Sequence, residues 1–139
     1  MASWLLTRLA MRTSRTLPAS REVTIVSANP ETRDRLESYL RSVGVPARGR
    51  RTLEECSELT SASTFAIVLF PDDFWWEAVV ATIAELDARC SSALRVFVTA
   101  QPQKYQQLVD GRPNVLVVPR SVWGWMILDA IRSHADASS

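Results

Sequence analysis

Lysine and histidine are almost missing from this 139-residue chain: Lys104 and His134 are the only ones. A single histidine leaves no His-based metal cluster and no histidine near a strand end to serve as a general base. Only two cysteines occur, Cys56 and Cys90. They are too few for a zinc site of four closely spaced ligands or for a disulfide scaffold, so two reduced thiols in a cytoplasm are expected. No apolar run approaches the roughly 18 residues that suggest a membrane span. Charge of one sign is also lacking, with a net charge of +1. No overall field draws the chain to nucleic acid or an anionic membrane. The small basic patch Arg48, Arg50 and Arg51 reads as a solvated strand edge. Neither a metal nor a cofactor is expected.

The first twenty residues lack acids altogether and carry Arg8, Arg12 and Arg15 among several Ser and Thr. Trp4, Leu5, Leu6, Leu9 and Ala10 could line one side of a short helix. This leader has the character of a mitochondrial transit peptide, but a disordered segment or an upstream start codon is the plainer account. Cations that are nearly all arginine, with abundant alanine, point to a GC-rich genome and so to a bacterium.

What is present is hydrophobic content of 47%, ordinary for a globular domain, in a chain long enough for one domain. From Arg21 onward strands and helices alternate. Glu22 to Ala28 reads as a strand. Asn29 and Pro30 then supply an N-cap and a first helical residue. Leu36, Tyr39, Leu40 and Val43 fall at helical spacing, and Gly44 ends that helix. Val45 to Arg50 reads as a basic edge strand. Thr52 and Glu55 form a capping box for a second helix with Leu53, Cys56 and Leu59 inward. Phe65 to Phe70 is apolar on both faces, as a central parallel strand is. Asp72 or Asp73 is expected to cap a third helix reaching Ala88. Leu94 to Ala100 is a fourth strand, followed by a helix opening at Pro102. Val115 to Val118 is a fifth, again apolar, and Ser121 caps a last helix reaching about Ala135, before a tail over 136–139. This alternation predicts an α/β fold: a five-stranded parallel sheet with helices on both faces and flavodoxin-like order.

Ligands of such folds bind beyond the carboxyl ends of the strands. Ser27-Ala28-Asn29-Pro30 follows the first strand without a glycine, so the phosphate cradle of a dinucleotide site is missing. Pro71-Asp72-Asp73-Phe74-Trp75-Trp76 follows the third, Thr99-Ala100 the fourth and Pro119-Arg120 the fifth.

The strand Val96-Phe97-Val98-Thr99-Ala100, with Ile67-Val68-Leu69 before an acidic turn and Val117-Val118-Pro119 near the end, resembles the receiver domain of two-component response regulators. The resemblance covers Arg21 to about Ala135. It implies a pocket with two Mg²⁺-holding acids after the first strand, a phosphoacceptor Asp ending the third, a Thr after the fourth and a Lys after the fifth. Here Ser27 and Ala28 stand for the acids. Pro71 falls at the acceptor position, with Asp72 one step late, and Val118 or Pro119 replaces the Lys, with Arg120 nearby. Thr99 alone is retained. A one-residue shift along a strand turns a side chain to the other face unless a turn restores it. Ser27, Asn29, Asp72, Thr99 and Arg120 therefore read as a degenerate phosphorylation pocket without Mg²⁺. Asp72 and Asp73 taken alone read as helix caps, and Thr99 as a strand-end hydroxyl bonding to backbone.

Phe74, Trp75 and Trp76 open one helix, and Trp123, Trp125 and Met126 another. Successive helix residues point about 100° apart, so three adjacent rings cannot all face one core. Trp123, Ile127, Ala130 and Ile131 share a face assigned to the core, which turns Trp125 outward. The six residues are candidate interface, since exposed Trp commonly anchors protein contacts. The resemblance puts Trp125 near the face that receivers use for signalling and dimerisation. The expected function is a non-catalytic pseudo-receiver, a cytoplasmic protein-binding module able to dimerise through its last helix. The alternatives are an atypical receiver phosphorylated on Asp72, or a flavodoxin-like domain binding a small molecule.

Overall fold

β-branched and aromatic residues, which fit a pleated surface, set the strands, and proline and asparagine signals punctuate them. The computed structural model describes residues 22–60 and 62–138. Along the chain it contains β1 (Glu22–Val26), α1 (Pro30–Ser42), β2 (Ala47–Arg50), a 3₁₀ turn (Glu54–Glu58), β3 (Thr64–Leu69) and a second 3₁₀ turn (Pro71–Asp73). There follow α2 (Trp76–Arg89), β4 (Leu94–Thr99), α3 (Pro102–Val109), β5 (Val115–Pro119), a 3₁₀ turn (Arg120–Val122) and α4 (Trp123–Ser138). The five strands form one sheet in the order β2-β1-β3-β4-β5, and every pairing is parallel. This is the flavodoxin-like order expected from the alternation.

Alternation along each strand sends side chains to two separate cores. Val23, Ile25, Ala66, Val68, Val96 and Val98 pack with Leu36 and Leu40 of α1 and Ile127 and Ile131 of α4. Val26, Ile67, Leu69 and Phe97 pack on the other face with Leu53, Cys56, Val79, Ile83, Leu86, Tyr105 and Val109. Every residue of β3 and β4 is buried. β5, although apolar, is the second edge, and Leu116 on it is exposed.

The first helix begins and ends as its sequence signals predict. The Asn29 side chain accepts bonds from the Glu31 and Thr32 N–H groups. Gly44, at φ +86°, takes the left-handed turn that closes the helix.

The second helix is corrected to a single 3₁₀ turn. Leu53, Cys56 and Leu59 are buried as expected. The Glu55 carboxylate, however, turns back to the Arg51 N–H at 3.3 Å and the Thr52 hydroxyl at 3.2 Å. Beyond Glu58 the hydroxyls of Thr60, Ser63 and Thr64 bond one another, and Ser63 bonds the Thr60 carbonyl, a competitor to helix extension. The last helix is longer than expected, continuing through 136–138. The leader, Arg21 and Ser139 lie outside the described residues.

At the opposite end of the sheet from the strand termini, Arg95 of β4 is buried. Its guanidinium donates to Asp87 of α2 and to the Pro113 carbonyl at 2.8 Å, and Asp87 also pairs with Arg112. Burial pushes the Arg95 guanidinium below its ordinary range. Asp87→Ala therefore leaves a buried cation without its counter-charge. We expect it to cost about 3 kcal/mol in urea unfolding, with part recovered when Arg95→Leu is added.

Burial also pushes the Cys56 thiol up from 9.0 to about 11. Because the folded value is raised, the neutral thiol contributes its full stability below about pH 9. That contribution, about 2–3 kcal/mol, is lost as pH rises through 11. Wild type should lose this much more stability than Cys56→Ala between pH 8 and pH 11, and equal losses would contradict the assignment.

Candidate functional site

Pro71 cannot continue the β3 ladder, and the chain turns there. The Asp73 N–H bonds the Phe70 carbonyl and the Phe74 N–H bonds the Pro71 carbonyl, which closes a 3₁₀ turn at the carboxyl end of β3. In such a turn successive side chains diverge by about 120°. Asp72 and Asp73 consequently point to opposite sides, each toward the end of a neighbouring strand.

The two contacts have one pattern. At the end of β4, the Thr99 hydroxyl donates to Asp72 Oδ1 at 2.6 Å and the Ala100 N–H donates to Asp72 Oδ2 at 2.8 Å. The same hydroxyl accepts from the Gln101 N–H at 2.9 Å. At the end of β1, the Ser27 hydroxyl donates to Asp73 Oδ2 at 2.5 Å and the Ala28 N–H at 3.1 Å. Ser27 Oγ accepts in turn from the Asn29 N–H at 3.1 Å. Each carboxylate thus holds a hydroxyl and the following backbone amide, and each hydroxyl is oriented by the amide two residues on.

Asp72 and Asp73 are therefore corrected from helix caps. α2 begins at Trp76, its cap residue is Trp75, and no side chain bonds its first amides. The turn restores the reach of Asp72 to Thr99 that a straight strand would have lost. Of the five pocket positions, Asp72 and Thr99 are brought together, whereas Ser27 bonds Asp73 on the other side of the turn. Arg120 stands at the margin, its Nη1 3.9 Å from Asp72 Oδ2. The Asn29 side chain caps α1, while its N–H donates to Ser27 Oγ.

Sequence reasoning missed the pairing of Asp73 with Ser27 and the two backbone amides. The available signal was a hydroxyl residue ending both strands that flank β3. Tyr105 of α3 closes one side. Burial, and secondly the Asp72 carboxylate, push its phenol up. Its ring lies 5.5 Å from that of Trp76, over which Lys104 Nζ sits at 4.4 Å.

The six candidate interface residues separate. Trp75 is 83% exposed and Trp125 65%. Phe74 and Trp76 are half-buried against the α2 core, and Met126 against the α4 core, so these three serve packing first. The side chain of Trp123 lies outside what is described. Lone His134 lies over Phe65 with its Nε2 3.1 Å from the Ser92 carbonyl.

A groove of about 510 Å³ runs beside this site, lined by Thr52, Leu53, Glu54, Asp72, Asp73, Phe74, Trp75 and Ala78. Among the described residues no group of three or more His, Cys, Asp or Glu side chains is placed to hold a metal ion. No described helix is long and apolar enough to cross a membrane.

No family profile and no curated protein sequence matches this chain. Solved structures do. A signal receiver domain of an HD domain-containing protein from Pseudomonas fluorescens Pf-5 superposes with a TM-score of 0.68 at 15% identity, covering 88% of this chain and 91% of that one. An adenylate cyclase structure from Rhodopirellula baltica gives 0.66 at 13%, covering 83% and 86%. A lysine decarboxylase from Francisella novicida gives 0.57 at 16%, covering 86% of this chain but 18% of the enzyme. At these identities the likeness is one of fold: this chain has the receiver-type, flavodoxin-like architecture.

The paired clips predict separable effects. Asp72→Ala removes the acceptor for the Thr99 hydroxyl and the Ala100 amide, at about 1–3 kcal/mol. It should speed hydrogen exchange at Ala100 while leaving Ala28 protected, and Asp73→Ala should do the reverse. Equal acceleration at both amides in either variant would contradict two independent clips.

Proposed function

We propose that this chain is a pseudo-receiver: a non-catalytic protein-binding module of bacterial signalling or regulation that works without phosphorylation, in the cytoplasm. The observation that carries this reading is the occupation of the strand-end pocket by the chain's own carboxylates. The donors that would meet an incoming anion there, the Thr99 hydroxyl and the Ala100 N–H, already serve Asp72. On the other side, Ser27 and Ala28 stand where the resemblance would put metal-holding acids. An uncharged hydroxyl and a methyl are a poor fit for Mg²⁺, which wants hard anionic oxygens in octahedral array. Asp73, the one nearby acid on that side, is turned into the Ser27 and Ala28 donors. Phosphoryl transfer depends on positioning and on metal-assisted charge stabilisation, and this arrangement favours neither. The receiver-domain neighbour from an HD domain-containing protein supports a role in signalling.

Output then passes through contact surfaces. Trp125 on α4 stands 65% exposed, close in sequence to the exposed edge strand β5. This face is suited to a protein partner or a second copy of the chain.

A second reading has one specific observation in its favour. The Asp72 carboxylate accepts from the Thr99 hydroxyl at 2.6 Å, so the retained Thr faces the acid one step beyond the acceptor position. In that reading Asp72, the acid bonded to Thr99, is the phosphoacceptor.

Intact-mass measurement after incubation with acetyl phosphate and Mg²⁺ separates the two. The pseudo-receiver gains no phosphoryl mass, and a gain abolished by Asp72→Asn would establish the second reading. For the contact surface, Trp125→Ala should weaken self-association or partner binding by about tenfold or more, as hot-spot aromatics do. Unchanged sedimentation and unchanged partner capture would exclude the α4 face.

A further inference from the structure

We infer that the groove beside Trp75 receives an arginine side chain presented by a partner protein. The inference rests on the reading of the chain as an interaction module and names the chemistry of what that module binds.

The groove lies between the start of the 3₁₀ turn Glu54–Glu58 and the start of α2. The wall of α2 is left facing Thr52, Leu53 and Glu54 across about 510 Å³ of open space. Leu53, Phe74 and Ala78 supply apolar surface, and Trp75 stands 83% exposed at the rim.

Two neighbouring indoles differ in a telling way. Trp76 already carries a cation, Lys104, over its ring. Among the described residues no ring or cation stacks on Trp75.

The charge of the groove is negative and only weakly compensated. Asp73 is bonded by a hydroxyl and an amide, neutral donors that orient a carboxylate without cancelling its charge. Glu54 forms no ion pair among the described residues, and the cation nearest to Asp72, Arg120, is 3.9 Å away. An anion would be repelled here, and a purely apolar group would desolvate carboxylates without pairing them. A guanidinium meets both demands. It is planar and weakly hydrated, it stacks on an indole, and its fork pairs with a carboxylate. An ammonium pairs with the charge but is more strongly hydrated and stacks less well.

The test uses the ¹⁵N-labelled full chain titrated with a capped Gly-Arg-Gly peptide and with its citrulline and lysine counterparts. The arginine peptide should shift the Trp75 indole N–H and the Glu54 and Phe74 amides in a saturable way. Citrulline, the same shape without charge, should bind about tenfold more weakly, with lysine between them. Trp75→Ala and Glu54→Gln should each weaken the response and leave the rest of the spectrum in place, since both side chains are exposed. Absence of shifts, equal response to citrulline, or shifts centred elsewhere would overturn the proposal. So would movement of the Trp75 indole on replacing Arg8, Arg12 and Arg15 by Gln, because the groove would then hold this chain's own arginines. A failure here leaves the phosphodonor result standing. A phosphoryl gain on Asp72, conversely, would overturn the pseudo-receiver reading without altering the Trp75 response.

Discussion

Two consecutive carboxylates fasten the central strand of the sheet to both of its neighbours. β3 lies between β1 and β4, and the turn that ends it sends Asp73 to Ser27 and Asp72 to Thr99. Parallel strands finish together at one edge, where backbone amides have no ladder partner. At this edge the chain supplies the acceptors itself. Charge-assisted bonds of 2.5–3.1 Å to hydroxyl and amide make the strand ends a closed unit rather than an open cradle. The positions of Phe74, Trp75 and the start of α2 are set by the same turn.

That closure changes what the fold can do. A flavodoxin-like sheet ordinarily offers its carboxyl edge to ligands. Here the ends of β1 and β4 are occupied, and open surface lies to the side, in the groove between the Glu54–Glu58 turn and the start of α2, and on α4 around Trp125. Both open regions display an indole. Arg95 and Asp87 tie α2 to β4 toward the opposite end of the sheet.

The strand order, the apolar β3 and β4, the edge position of β2 and the capping of α1 were legible because each rests on local chemistry: alternation, an Asn-Pro start, a glycine stop. The second helix was misread because a Thr-Glu capping box has the same residues whether a helix continues or not. The hydroxyls of Thr60 and Ser63, which bond locally just beyond the turn, favour the shorter outcome. Asp72 and Asp73 were misread as caps because an acid before a helical pattern is usually one. The turn at Pro71 held them back from α2, and their partners lie 27 and 46 positions away in sequence. No spacing rule shows such contacts. The outward turn of Trp125 was readable from helical periodicity alone, whereas the inward packing of Phe74 and Trp76 depended on a helix start that the sequence placed several residues too early.

We propose that the strand-end pocket, closed by internal carboxylates, does not answer to phosphoryl chemistry. The most direct test is a two-dimensional NMR titration of the full chain with Mg²⁺ and then beryllofluoride, a mimic of the phosphoryl group. Closure predicts that the Ala28, Thr99 and Ala100 amides keep their positions through both additions. Saturable shifts at those amides, dependent on Mg²⁺ and absent in Asp72→Asn, would contradict it and mark a working receiver.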